Sequence, residues 1–173
     1  MSESDTHREL REQIEAQLSE RGFEFNSSHS YDEKRSGPAL YLKDPSDTSS
    51  TKSELQISQP DIVVYHDDGT IDIIEIEVTA KNPKYILGDL YTVLHSKFMN
   101  DEAKGVIPLP KVRHVYIMIA RDIPDKGHKR QQYEHLVSSF DENNDTKTKF
   151  KIFWKNQLDE MIAELGVEKR DKL

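Results

Sequence analysis

The run Thr70 to Thr79, TIDIIEIEVT, constrains the fold more than any other part of the chain. In an extended strand alternate side chains share a face. Ile71, Ile73, Glu75, Glu77 and Thr79 therefore lie on one side, and Ile74, Ile76 and Val78 on the other. Both faces are apolar along most of their length, which marks a strand in the middle of a buried sheet. Two carboxylates projecting together from such a strand are costly. Each must be paired, protonated or bound to a cation. Their spacing sets them roughly 7 Å apart along the strand, close enough to flank one or two small cations.

A third acid belongs with them. Pro60 to His66 reads as a strand with Ile62, Val63 and Val64 as its apolar run. Asp67-Asp68-Gly69 is a hairpin turn signal, so this strand folds back antiparallel against the next. Pairing about that turn brings Asp61 beside Glu75 and Glu77. Three hard oxygen ligands then converge at one sheet edge, the kind of site magnesium prefers.

The rest of the chain supplies helices and further strands. Leu10, Ile14 and Leu18 predict an amphipathic helix over 5–21, capped by Asp5 or Thr6 and closed by Gly22. Residues 26–53 read as loop with one short strand at 39–43. Asn82-Pro83 opens a helix to about Asn100, with Ile86, Leu87, Leu90, Val93, Leu94 and Phe98 inward. Pro108 and Pro110 mark a loop. Val112 to Ala120 predicts a third core strand, with Val115, Ile117 and Ile119 opposite Tyr116 and Met118. Helix 129–140, strand 150–154 and helix 157–165, closed by Gly166, complete the order. The expectation is one α/β domain over 1–173, a central mixed sheet flanked by helices, with a core at about 5–121 and an extension at about 122–173.

Composition narrows the chemistry. The 173 residues contain no cysteine, which excludes disulfides, cysteine-ligated zinc and a cysteine nucleophile. No apolar run approaches the ~20 residues of a membrane helix. Met1 to Glu20 is acidic and lacks a signal peptide's apolar stretch, so the expected setting is cytoplasmic and off the membrane. The net charge is −8 but unevenly spread. Residues 1–103 hold 10 Lys/Arg against 21 Asp/Glu, whereas 104–155 hold 11 against 6. A basic segment in an acidic chain suits a local phosphate footprint or a solvated surface.

Pro60-Asp61, followed at a distance by Glu75-Ile76-Glu77, resembles the PD-(D/E)xK nuclease superfamily, and the element order from Asp5 to Ala120 matches that family's restriction-endonuclease-like core. The family usually has lysine where this chain has Glu77. The E-x-E form is similar to restriction endonucleases of the BamHI type, as is the run EIEVTAKN. The resemblance implies a metal-dependent endodeoxyribonuclease, plausible as a type II restriction enzyme, acting on DNA with Mg2+, or Mn2+ as substitute. It implies metal binding by Asp61, Glu75 and the carbonyl of Ile76. It gives Glu77 the lysine's task of orienting or deprotonating water, with Lys81, or Lys84 on the following helix, as a displaced lysine. Nucleases of this size often act as homodimers to cut both strands. The alternative is a nuclease-like domain that has lost catalysis and binds DNA or a protein; an RNA or branched-DNA nuclease on the same core is a third reading.

Other residues are open to two readings. Many family members have a glutamate on the first helix, for which Glu9, Glu12 and Glu15 are candidates, though helical acids are usually solvated. Glu54 is a further candidate ligand. Lys126, Lys129 and Arg130, with His128, suit DNA phosphates or a solvated helix start. His95 reads as structural or solvent-facing. Tyr85, Tyr91, Tyr116, Phe153 and Trp154 read as core or interface.

Overall fold

The structure, a computed structural model, describes residues 4–28, 37–47, 49, 52–78, 83–101, 103–124, 127–143 and 147–170. In chain order the elements are α1 (Asp5–Glu20), β1 (Glu24–Ser27), β2 (Ala39–Tyr41), a one-turn α2 (Lys52–Leu55), β3 (Gln56–Ser58), β4 (Ile62–Tyr65) and β5 (Ile71–Glu77). They continue with α3 (Pro83–His95), β6 (Phe98–Asp101), β7 (Gly105–Pro108), β8 (Val112–Ile119), α4 (Lys129–Asn143), β9 (Lys149–Trp154) and, after a 3-10 turn, α5 (Leu158–Arg170). Among the described residues no helix is long and apolar enough to cross a membrane.

The central sheet is mixed, with strand order β1-β4-β5-β8-β9. The turn after β4 forms as its residues require. The Gly69 N–H donates to the His66 carbonyl at 2.9 Å. Gly69 itself sits at φ 79°, a conformation that suits glycine. This turn sets β4 antiparallel to β5 in the register Ile62 to Ile74. β8 and β9 run parallel to β5, so Glu77, Ile119 and Trp154 end the three strands side by side.

The alternation of β5 and β8 divides the core in two. Ile74, Ile76, Tyr116 and Met118 pack under α1 and α5 against Leu10, Ile14, Met161 and Ile162. Ile71, Ile73, Val115, Ile117 and Ile119 face α3 and α4 through Ile86, Leu90, Val93 and Tyr133. The sheet is thus covered on both faces, as a strand apolar on both sides demands.

Several boundaries differ from expectation. Ser4, not Asp5 or Thr6, caps α1, its Oγ accepting from the His7 N–H at 3.2 Å. α3 stops at His95 instead of reaching Asn100. There the Ser96 hydroxyl donates to the Thr92 carbonyl at 2.6 Å, and the Lys97 N–H turns to the Tyr41 carbonyl at 2.9 Å. The chain leaves the helix and continues as β6, so Phe98 is a strand residue. β6 belongs to a second sheet, β3-β2-β6-β7, that the sequence reading lacked. Asp101 makes its hairpin by accepting from the Ala103 and Lys104 N–H groups, both at 2.9 Å. Pro108, expected in a loop, ends the edge strand β7, where a missing N–H is tolerated. α5 runs through Gly166 to Arg170.

Candidate active site

The site begins with the hairpin register. With Ile62 opposite Ile74, Asp61 stands just outside β4 and level with Glu75. The two residues are tied reciprocally. The Asp61 N–H donates to Glu75 Oε2 at 3.2 Å, and the Ile76 N–H donates to Asp61 Oδ2 at 2.8 Å. In a strand the N–H and C=O of one residue leave the same edge. The Ile76 carbonyl therefore opens on the side of Asp61, where β4 has already ended. The expected juxtaposition of Asp61, Glu75, Ile76 and Glu77 is present.

Two helices complete the cluster from opposite faces of the sheet. From α1, His7 Nε2 lies 3.1 Å from Asp61 Oδ1, each side chain 18% exposed. From α3, the Asp89 carboxyl shares a hydrogen bond with that of Glu77. Neither residue was expected here, yet both carry a signal. His7 is three residues before Leu10 and seven before Ile14, on the buried stripe of α1. Asp89 lies between Ile86 and Val93, within the inward stripe of α3. A polar residue inside an apolar stripe is the informative kind of exception.

Four carboxyls in one place disturb each other's protonation. Burial, then the charges of Asp61 and Asp89, push the Glu75 carboxyl well above the usual carboxylate range, against one hydrogen bond from the Asp61 N–H. Burial also raises Glu77, with Asp61 adding to the rise and the Asp89 hydrogen bond and His7 opposing it. Asp89 is pushed up to about 8 by burial and by Glu77. Among the described residues no lysine or arginine pairs with any of the four. Glu75 is only 6% exposed, and its Oε1, like Asp89 Oδ2, is buried without a hydrogen-bond partner among the described residues.

The donor set fits a hard divalent cation, which takes carboxylate and carbonyl oxygens. The orphaned oxygens of Glu75 and Asp89 point the same way. Among the described residues, however, no group of three or more His, Asp or Glu side chains is placed to hold a metal ion. Their oxygens turn instead to backbone N–H groups and to one another.

The other expected residues stand apart. Lys81 and Lys126 lie outside the described residues. Lys84 is exposed on the first turn of α3. Glu9 and Glu12 are exposed, and Glu15 accepts from Arg11 Nη1 at 2.8 Å, so no α1 glutamate joins the cluster; His7 does. Glu54 is exposed on α2. His95 is exposed and stacks on Tyr91, with ring centroids 4.1 Å apart. Tyr85 and Tyr91 are exposed, whereas Tyr116 and Trp154 are buried. Lys129 donates to Gln132 Oε1 at 3.3 Å, and Arg130 pairs with Glu134 at 2.8 Å on the exposed start of α4.

A second buried acid lies at the opposite end of β5. Asp72 is fully buried. Its Oδ2 accepts from Arg113 Nη2 and lies beside His66 Nε2, both at 2.8 Å. Its Oδ1 accepts from the His114 N–H at 3.0 Å, with His114 Nδ1 at 3.2 Å. Burial works to raise this carboxyl, but the hydrogen bonds of His114, His66 and Arg113 and the guanidinium charge outweigh it. They hold Asp72 well below the usual range.

In comparison with known proteins, the chain matches no family model, no curated protein and no solved structure.

Proposed function

We propose that this chain is a magnesium-dependent endonuclease that hydrolyses DNA phosphodiester bonds on a restriction-endonuclease-like core of the PD-(D/E)xK type. The observation that carries the reading is the buried, uncompensated Glu75 carboxylate set against Asp61, Glu77 and Asp89 at one end of β5. Such a group is stable as a charge only beside a cation.

Asp61, Glu75 and the Ile76 carbonyl would hold Mg2+, with Mn2+ able to substitute. When bound, the ion supplies a lowered pKa for water and polarisation of a phosphoryl oxygen. Asp61 is fixed for this task by the Ile76 N–H on one oxygen and His7 on the other. Glu77 takes the proton of the attacking water, with Asp89 orienting its carboxylate. Lys129 and Arg130, exposed at the start of α4, suit DNA phosphates. Pairing of two copies would place two such sites for cutting both strands.

Supercoiled plasmid tests the reading. Nicking and linearisation should require magnesium, stop with EDTA, and be lost in Asp61→Ala and Glu77→Ala proteins that remain folded. Cleavage by Asp61→Ala at the wild-type rate would sink it. A second reading has its own observation. Glu77 stands where the family has lysine and is tied to Asp89, which suits a nuclease-like domain that binds DNA or a protein without cutting. Magnesium binding with no cleavage of plasmid, branched DNA or RNA would decide for that reading.

A further inference from the structure

Asp61 stands in a bend just before β4, outside the ladder that fixes the strand. Its backbone is held instead by one residue at the end of β1. The β1–β4 register pairs Ser27 with Ile62, which brings Ser28 opposite Asp61. The Ser28 N–H donates to the Asp61 carbonyl at 2.8 Å. The Ser28 hydroxyl donates to the Pro60 carbonyl at 2.9 Å. These two carbonyls belong to the two peptide groups on either side of the Asp61 Cα. Holding both planes sets φ and ψ of Asp61, and with them the direction of its Cα–Cβ bond.

The first of those peptides is gripped at both edges. Its carbonyl takes the Ser28 hydroxyl, and its N–H, that of Asp61, donates to Glu75 Oε2 at 3.2 Å. From this backbone the Asp61 side chain reaches the Ile76 N–H at 2.8 Å and His7 Nε2 at 3.1 Å. Both Ser28 bonds go to main-chain oxygens, so it acts on the site through Asp61. Gly37 in turn leaves Ser28 its place. A Cβ at position 37 would lie 2.9 Å from both Ser28 Cα and Ser28 Oγ, closer than carbon packs. Gly37 is not among the glycines with positive φ, so space alone, and not backbone conformation, calls for glycine there. Any larger residue has to push Ser28 aside.

We propose that Ser28 is a positioning residue of the cation site: it holds the Pro60–Asp61 backbone so that the Asp61 carboxylate meets the ion that Glu75 and the Ile76 carbonyl receive. The proposal rests on the reading of this edge as a cation site. Groups that orient metal ligands from behind typically matter by about 10–100-fold in metal affinity. Ser28 occupies that place here, with the difference that it orients the ligand through the main chain. Gly37 supports it by leaving it room.

The test counts Mn2+ directly, through the EPR signal of the free ion, on the full chain without nucleic acid. Thermal unfolding of the metal-free protein is measured alongside. The wild type should bind Mn2+ saturably. Ser28→Ala, which removes only the hydroxyl, should weaken that binding about tenfold. Gly37→Ala, which keeps the hydroxyl but displaces it, should weaken it in the same direction. A merely structural role would lower the metal-free Tm and leave the affinity of the folded protein as it was. That result, or unchanged Mn2+ binding in either variant, would overturn the proposal. A wild type that binds no Mn2+ would remove the cation site itself and the proposal with it. The wild type alone therefore tells failure of the nuclease reading from failure of the role given to Ser28.

Discussion

The two ends of β5 bury acids in opposite ways. At its start, Asp72 is enclosed by Arg113, His66 and His114, and its charge is stabilised within the protein. At its end, Glu75 and Glu77 face Asp61 and Asp89, and the partners raise rather than lower the proton affinity of Glu75. The same strand thus holds one buried carboxyl below its ordinary range and another above it. A buried ion network that closes on itself serves the fold. An acidic cluster without such partners is the feature on which the proposed cation site rests.

This contrast can be broken at either end. The largest expected effect is at Asp72. Replacing it with alanine removes the carboxylate that Arg113, His66 and His114 share, which should lower stability by about 3–5 kcal/mol in denaturant unfolding. A loss below about 1 kcal/mol would mean that the network is not what holds this end of the sheet. Glu75→Gln should act in the other direction. It keeps an acceptor for the Asp61 N–H while removing the carboxylate, so without metal at neutral pH it should raise stability by about 1 kcal/mol or more. A destabilised Glu75→Gln protein would remove the difference between the two ends. The smallest effect is in acid. Because the folded-state value of Asp72 is depressed, its contribution is complete above the ordinary pKa of about 3.9 and is lost as pH falls below it. Asp72→Asn should therefore flatten the decline in stability below about pH 4. An unchanged acid limb would place that decline at other carboxylates.

The sequence made the β4–β5 hairpin and the two faces of β5 and β8 legible, because a period of two leaves no choice of face once both are apolar. The same logic places Asp61 beside Glu75. It could not see the second sheet. β2 and β3 have three residues each and β6 and β7 four, too short for periodicity, and β2 joins β6 by a pairing distant in sequence. The end of α3 was hidden for a local reason, since Ser96 caps the helix through a side-chain bond that an apolar count ignores. Asp89 and His7 escape an apolar count because they are the polar members of the inward stripes of α3 and α1. The function classes follow the same division. Acids on apolar strands are visible in sequence, whereas the grip of Ser28 on Pro60 and Asp61 exists only after β1 pairs with β4.

The most direct test of the open end is thermal unfolding against magnesium concentration, for the wild type and Glu75→Gln side by side. The account predicts that magnesium stabilises the wild type along a saturating curve, by about 2.7 kcal/mol at a hundredfold excess over Kd, and leaves Glu75→Gln nearly unchanged. A flat wild-type response, or an equal rise in both proteins, would contradict a cation site at Asp61, Glu75 and Glu77.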